Sequence, residues 1–175
     1  MFFVSMLATI LASTVFESNV DRAFTAIQKN EWITAASALD EALAADSAVF
    51  GANNLHYLRG RVAENQRHWT RSREEFKKID RGNPLYALAA WHAALASAQL
   101  RDDGAAEEFL NLLPRNFPAA LKLQVARNSS LSLASKIYEG LATRDARFQR
   151  AKLLGDTSSF WTLIRESKDD DVALE

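Results

Sequence analysis

The side chains through which this 175-residue chain could do chemistry are three histidines, two adjacent glutamate pairs and a scatter of aromatics and arginines. A helical zinc site needs a second ligand one turn from the first, because only then do both point at one ion. Four residues after His56, His68 and His92 stand Gly60, Ser72 and Ala96, so packing or surface roles are expected for all three histidines. Glu74-Glu75 and Glu107-Glu108 recur at nearly a fixed distance. Adjacent residues diverge by about 100° around a helix, so these pairs are expected to be solvated faces rather than a converging acid and base. There is no cysteine, which removes thiolate nucleophiles, thiolate metal ligands and disulfides. Nor is there a Gly-rich phosphate loop, a nucleophile elbow or a Ser/Lys motif. No catalytic residue, metal or cofactor is therefore expected of this chain alone.

A binding role would have to come from how the elements present their side chains. Six Gly and three Pro against abundant Ala, Leu, Glu, Lys and Arg make a helix-rich composition. An all-α chain, more than half helix and without a sheet, is expected. Trp32, Ala35, Leu39 and Ala42 share their internal spacing with Trp69, Ser72, Phe76 and Ile79, with Asp103, Ala106, Leu110 and Leu113, and with Leu131, Ala134, Tyr138 and Leu141. Steps of three, four and three put each quartet on one helical stripe. Ala23, Gly60 and Ala94 each lie nine residues before a quartet, marking partner helices that come close. Pro84 and Pro118 each follow a quartet by five residues, where a proline ends one helix and opens the next.

From Gly60 to Ala94, Phe76 to Leu110 and Pro84 to Pro118 the shift is 34 residues. This period and the series Gly60, Trp69, Ser72, Phe76 and Pro84 resemble tetratricopeptide repeats. The resemblance implies antiparallel helix pairs stacked into an α-solenoid, or superhelix, over residues 17–118. The core should include Trp32, Leu39, Trp69, Phe76, Leu110 and Tyr138. Between the first two units the shift is 37, and Ala44 to Asn54 reads as a longer loop that absorbs the difference. In such arrays the first helix of each pair lines a concave groove. Tyr57, Arg61 and Trp91, three before or one after a small residue, fall on that side and are the candidate partner contacts. Arg61 would offer a fork to a carboxylate, the aromatics an apolar or sugar-stacking face. Ordinary inter-helix packing is the alternative for Tyr57 and Trp91.

Residues 119–175 read as further helical hairpins. Helical periodicity covers Phe117 to Arg127, Leu131 to Leu141, Arg144 to Leu154 and Thr157 to Glu166, with Ser129-Ser130 and Asp156 as N-caps and Gly155 as a C-cap. An acidic run, Asp169-Asp170-Asp171, and the start of another apolar segment follow, as if the array were truncated. At the other end, residues 1–16 carry no charge. They read either as a cleaved signal peptide, which implies export to the periplasm, or as an apolar capping helix, which leaves a cytoplasmic protein open. At that length a stable membrane span, which needs about 20 residues, is not expected. The net charge of −1 without a basic tract argues against a nucleic-acid partner.

Three further stretches, Leu112 to Pro118, Leu121 to Arg127 and Tyr138 to Asp156, resemble the N-terminal superhelical region of soluble lytic murein transglycosylases. That family is exported, and its superhelix precedes a lysozyme-like domain that cleaves peptidoglycan with one glutamate in a Glu-Ser pair. Here Glu17-Ser18 and Glu166-Ser167 supply the dipeptide without the family's following context. The resemblance thus implies a non-catalytic scaffold or binding region serving a missing C-terminal catalytic domain, with peptidoglycan as a possible ligand. A free-standing tetratricopeptide adaptor, binding a protein or peptide in its groove, is the other reading.

Overall fold

The computed structural model describes the backbone of residues 2–141 and 143–172, and side chains over residues 13–141 and 143–166. The chain is 77% helix, and no strand occurs among the described residues. The helices are α1 (Phe2–Gln28), α2 (Trp32–Ala45), α3 (Ser47–Ala52), α4 (Leu55–Asn65), α5 (Trp69–Phe76), α6 (Tyr86–Gln99), α7 (Asp103–Asn111), α8 (Ala119–Asn128), α9 (Leu131–Glu139), α10 (Arg144–Leu154) and α11 (Thr157–Val172). Successive helices pack as hairpins, α1 on α2, α4 on α5, α6 on α7, α8 on α9 and α10 on α11. These hairpins touch their neighbours through α2 with α4, α5 with α6, α6 with α8 and α9 with α10.

Three hairpins close through one turn. Asn30, Arg67 and Arg101 adopt left-handed backbone, with φ of 60°, 58° and 61°. The next residue then bonds back five positions, from Glu31 to Ala26, His68 to Ala63 and Asp102 to Ser97, at 2.8, 2.9 and 3.0 Å. The three acceptors are small and buried. Gly155, with φ of 66°, and the Asp156 to Ala151 bond of 2.9 Å close the α10–α11 hairpin in the same way. Only the α8–α9 turn differs: it is two residues long, with Ser130 capping α9 through Leu133.

Each quartet predicted from sequence starts on the first residue of a second helix, at Trp32, Trp69, Asp103 and Leu131. That position explains a difference in burial. Leu39, Phe76 and Tyr138 are buried as expected, whereas Trp32, Trp69 and Leu110 are half-buried and Leu131 is 70% exposed. Trp32, Trp69 and Leu131 are first residues and lie at the rim of the hairpin, where the partner helix ends; Leu110, next to the last residue of α7, owes its partial exposure to the other end of its helix. Two other expectations are corrected. The stretch from Ala44 to Asn54 is no plain loop: Asp46 Oδ1 accepts from the Ala48 and Val49 amides and starts α3. The acidic run does not end a helix either, since α11 continues through it to Val172. The apolar segment expected beyond it, residues 173–175, lies outside the described residues. So do the side chains of residues 1–12, on which the signal-peptide and capping-helix readings rest.

The close approach at Gly60 is real. A Cβ on Gly60 would stand 2.8 Å from Cε1 and Cζ of Phe76. That ring cannot retreat, because it stacks on His92 at 4.9 Å and meets Tyr57 edge-on at 5.5 Å. Overpacking typically costs 1–3 kcal/mol, roughly 1 kcal/mol of which alanine's helix propensity returns. Gly60→Ala is therefore expected to lower stability by on the order of 1 kcal/mol. Gly51→Ala, in α3 with nothing within 4 Å of its would-be Cβ, should raise it by about 0.5 kcal/mol. Urea melts of the two variants check the contrast. The left-handed turn makes an independent forecast: Arg67→Gly, at an exposed position, relieves strain of about 1 kcal/mol and should raise Tm by about 2–4 °C in a thermal melt.

Candidate functional site

Tyr57, Arg61 and Glu64 succeed one another at i, i+4 and i+7 and so share one face of α4. Opposite them α6 contributes Trp91 and His92. α6 is buried on nearly every side, because Ala89, Ala90, Ala93, Ala94, Ala96 and Ala98 let α5, α7 and α8 come close around it. A histidine in such a helix must have its ring nitrogens satisfied. Arg61 Nη1 donates to His92 Nε2 at 3.1 Å. An arginine cannot accept, so Nδ1 carries the ring proton and donates to Glu64 Oε1 at 2.9 Å. Glu64 Oε2 in turn takes Arg61 Nε at 3.0 Å. Burial pushes the His92 pKa below its ordinary value, and the Arg61 charge adds to this against the pull of Glu64. His92 is thus a neutral bridge between α4 and α6.

The candidate contacts differ in what they offer. Trp91 is 7% exposed, and its Nε1 donates to the Leu121 carbonyl at 2.8 Å. Its indole holds α8 against α6, so the groove contact expected of it is corrected to inter-helix packing. Tyr57 is half-buried, edge-on to Phe76 at 5.5 Å and to His92 at 5.7 Å. Its hydroxyl pKa is raised by burial, against the effect of Arg61. Arg61 keeps 45% of its side chain exposed while bonded to Glu64 and His92. The structure therefore brings Tyr57 and Arg61 together and turns Trp91 away.

The other side of α4 carries a charge network that sequence reasoning missed. Arg59 Nη1 meets Glu75 Oε1 at 2.8 Å and Arg59 Nη2 meets Asp40 Oδ1 at 2.6 Å, while Arg71 also donates to Asp40. His56 Nδ1 lies 2.8 Å from Glu75 Oε2, and Lys78 Nζ 2.8 Å from Glu75 Oε1. Glu75 is buried, which corrects its reading as a solvated residue; Glu74 and Glu108 are exposed. Burial alone would raise the Glu75 pKa, yet bonds from Lys78 and His56 and the Arg59 charge hold it below the usual carboxylate range. Asp40 behaves alike: burial raises it, and Arg71 and Arg59 overcome that rise. Apart from Lys78, three residues after Glu75, these partners lie 16 to 31 residues apart in sequence, and no helical periodicity links them. The Arg61–Glu64 pair, at i, i+3, carried a sequence signal that the reading of Arg61 as a groove contact passed over.

Chemically, the α4–α6 face presents a half-exposed guanidinium next to an aromatic edge, backed by His92 and Glu64. No group of three or more His, Asp or Glu side chains stands ready to hold a metal ion among the described residues. A second cleft, about 420 Å³ between α9, α10 and α11, has its charges spent on each other, Arg150 on Glu139 and Arg147 on Glu166. In comparisons with known proteins, no family model, no curated protein and no solved structure matches the chain.

Acid should act on both networks in the same sense. The depressed His92 pKa favours the neutral ring in the folded state, so its contribution is complete above about 6.5, the unfolded value. It is lost as pH falls from there towards the folded pKa. The depressed Glu75 pKa contributes above about 4.3 and is lost as pH falls through its folded value. In urea melts His92→Gln is expected to be less stable than wild type at pH 8 but to lose less on going to pH 5.5. Glu75→Gln should keep the loss between pH 7 and 5.5 and flatten the curve below about 4.3. Parallel curves for wild type and both variants would remove these groups from the pH response.

Proposed function

We propose that the chain is a non-catalytic, tetratricopeptide-like helical scaffold whose inner face, at Tyr57 and Arg61, takes a protein or peptide segment through one of its carboxylates. The observation that carries this reading is the half-exposed Arg61 fork, fixed from behind by Glu64 and His92. An arginine already held in place loses little rotamer freedom on pairing with a ligand carboxylate. The stacked, solenoidal arrangement is part of the proposal. Its support is that the left-handed turns at Asn30, Arg67 and Arg101 are spaced by the same 37 and 34 residues as the side-chain stripe. Backbone and side-chain periodicities thus agree, and stacked pairs of this kind leave their first helices on a concave surface.

The likeness to the superhelical region of lytic transglycosylases extends the same proposal. It would place the scaffold in the periplasm, serving a catalytic domain that acts on peptidoglycan. That extension rests on the residues of Leu112 to Asp156 alone, and no feature of the α4–α6 face favours a glycan over a peptide. Among the described residues no helix is long and apolar enough to cross a membrane.

Panning a peptide library with free C-terminal carboxylates against wild type supplies the probe. Arg61→Ala is then expected to weaken the selected peptides by about 10- to 100-fold, the worth of a charged hydrogen bond, with unchanged helicity by circular dichroism. Equal affinity for both proteins, or recovery of no peptide, would dismiss the face as a binding site. Purified peptidoglycan as a parallel probe separates the extension, because sedimentation with the cell wall that depends on Arg61 is its expected result.

A further inference from the structure

The chain carries a second surface with the character of an interface, at the other side of its first hairpin. α3 lies in the stretch between the first two units, where the shift is three residues longer than between the next two. It packs on α2 and α4, while α1 packs chiefly on α2, so a groove of about 800 Å³ opens between α1, α3 and the start of α4. Its floor is apolar. Phe16, Val20 and Phe24 step by four along α1 and face Val49 of α3, with Phe24 47% and Val49 39% exposed. Its rim is acidic. Glu17 and Asp21, also four apart, run along the α1 edge, Asp46 closes one end, and no cation lines the groove among the described residues. Elsewhere in the described fold, carboxylates on inter-helix surfaces meet arginine or lysine, as Asp40, Glu64, Glu75 and Glu107 do.

We propose that this groove docks a cationic amphipathic helix of a partner protein. Rows of side chains spaced by four along α1 leave furrows that accept the ridge of another helix. A helix with an apolar stripe flanked by lysines or arginines would cover Phe24 and Val49 and set its charges against Glu17 and Asp21. An extended strand would fit worse, since α1 and α3 expose no backbone donors to pair with it. This site is separate from the Arg61 face and stands or falls without it.

The test uses the full chain and a fluorescent 18-residue Leu/Lys peptide with helical amphipathic period. A Leu/Glu version of the same period and a scrambled Leu/Lys version serve as comparators. Anisotropy titrations are expected to show binding of the first peptide only, weakening as salt is raised. Phe24→Asp and the pair Glu17→Lys with Asp21→Lys should each reduce it by about tenfold or more. Glu17, Asp21 and Phe24 are all exposed, so circular dichroism should be unchanged. Glu108→Lys, an exposed reversal far from the groove, should leave binding as it is. No binding up to roughly 1 mM, equal binding of the scrambled peptide, or a loss with Glu108→Lys equal to that at the rim would overturn the proposal. So would self-association in sedimentation that Phe24→Asp abolishes, because the groove would then belong to a second copy of this chain.

Discussion

One aromatic ring ties the middle of this protein together. Phe76, from α5, lies against the bare backbone of Gly60 in α4 and stacks on His92 of α6 at 4.9 Å with 13° between the planes. Three helices are thereby held at distances that allow no extra methyl group at the crossing. The position of His92 follows from this, since its ring is pressed between Phe76, Tyr57 and Trp91. Once placed, the imidazole requires a donor on one nitrogen and an acceptor on the other, and Arg61 and Glu64 meet that requirement. The half-exposed guanidinium between α4 and α6 is thus a downstream consequence of a glycine.

The two polar networks on α4 divide the work of joining helices. On one side, Arg59 spans Asp40 of α2 and Glu75 of α5, so a single guanidinium bridges two neighbouring helices through two carboxylates. Desolvating these charges is costly, and the geometry compensates by giving each buried oxygen of Glu75 a cationic or imidazole partner. On the other side, a neutral histidine does the bridging. The contrast lies in the partners rather than in burial, since Glu75 and His92 are 3% and 2% exposed: Glu75 meets Arg59, Lys78 and His56, whereas the Arg61 charge beside His92 opposes a second positive charge on the ring.

Alanine has a further role in α6. Six buried alanines make nearly the whole circumference of that helix a contact surface, which lets one short helix serve α5, α7 and α8 at once. The apolar cluster around Trp91 and Ala94 accordingly continues into Val125 of α8 and Leu133 of α9. Packing is thereby handed along the chain from one hairpin to the next, rather than gathered in a single centre.

Local chemistry was legible in the sequence and long-range pairing was not. The all-helical composition, the stripe that begins each second helix, the Ser130 and Asp156 caps and the Gly155 turn could all be read from residue types at fixed offsets. Each depends on only a few neighbouring residues. The small residue at Gly60 also announced a close approach, because periodic small positions have few other uses. What the sequence could not disclose was which faces meet. Trp91 and Arg61 occupy similar places relative to their small residues, yet one indole is buried against the Leu121 carbonyl and the other side chain stays half in solvent. Glu74 and Glu75 are adjacent, yet 100° of helix rotation leaves the first in water and brings the second to Arg59 and His56. Burial and ion pairing are properties of the neighbouring helices, and only tertiary structure supplies those.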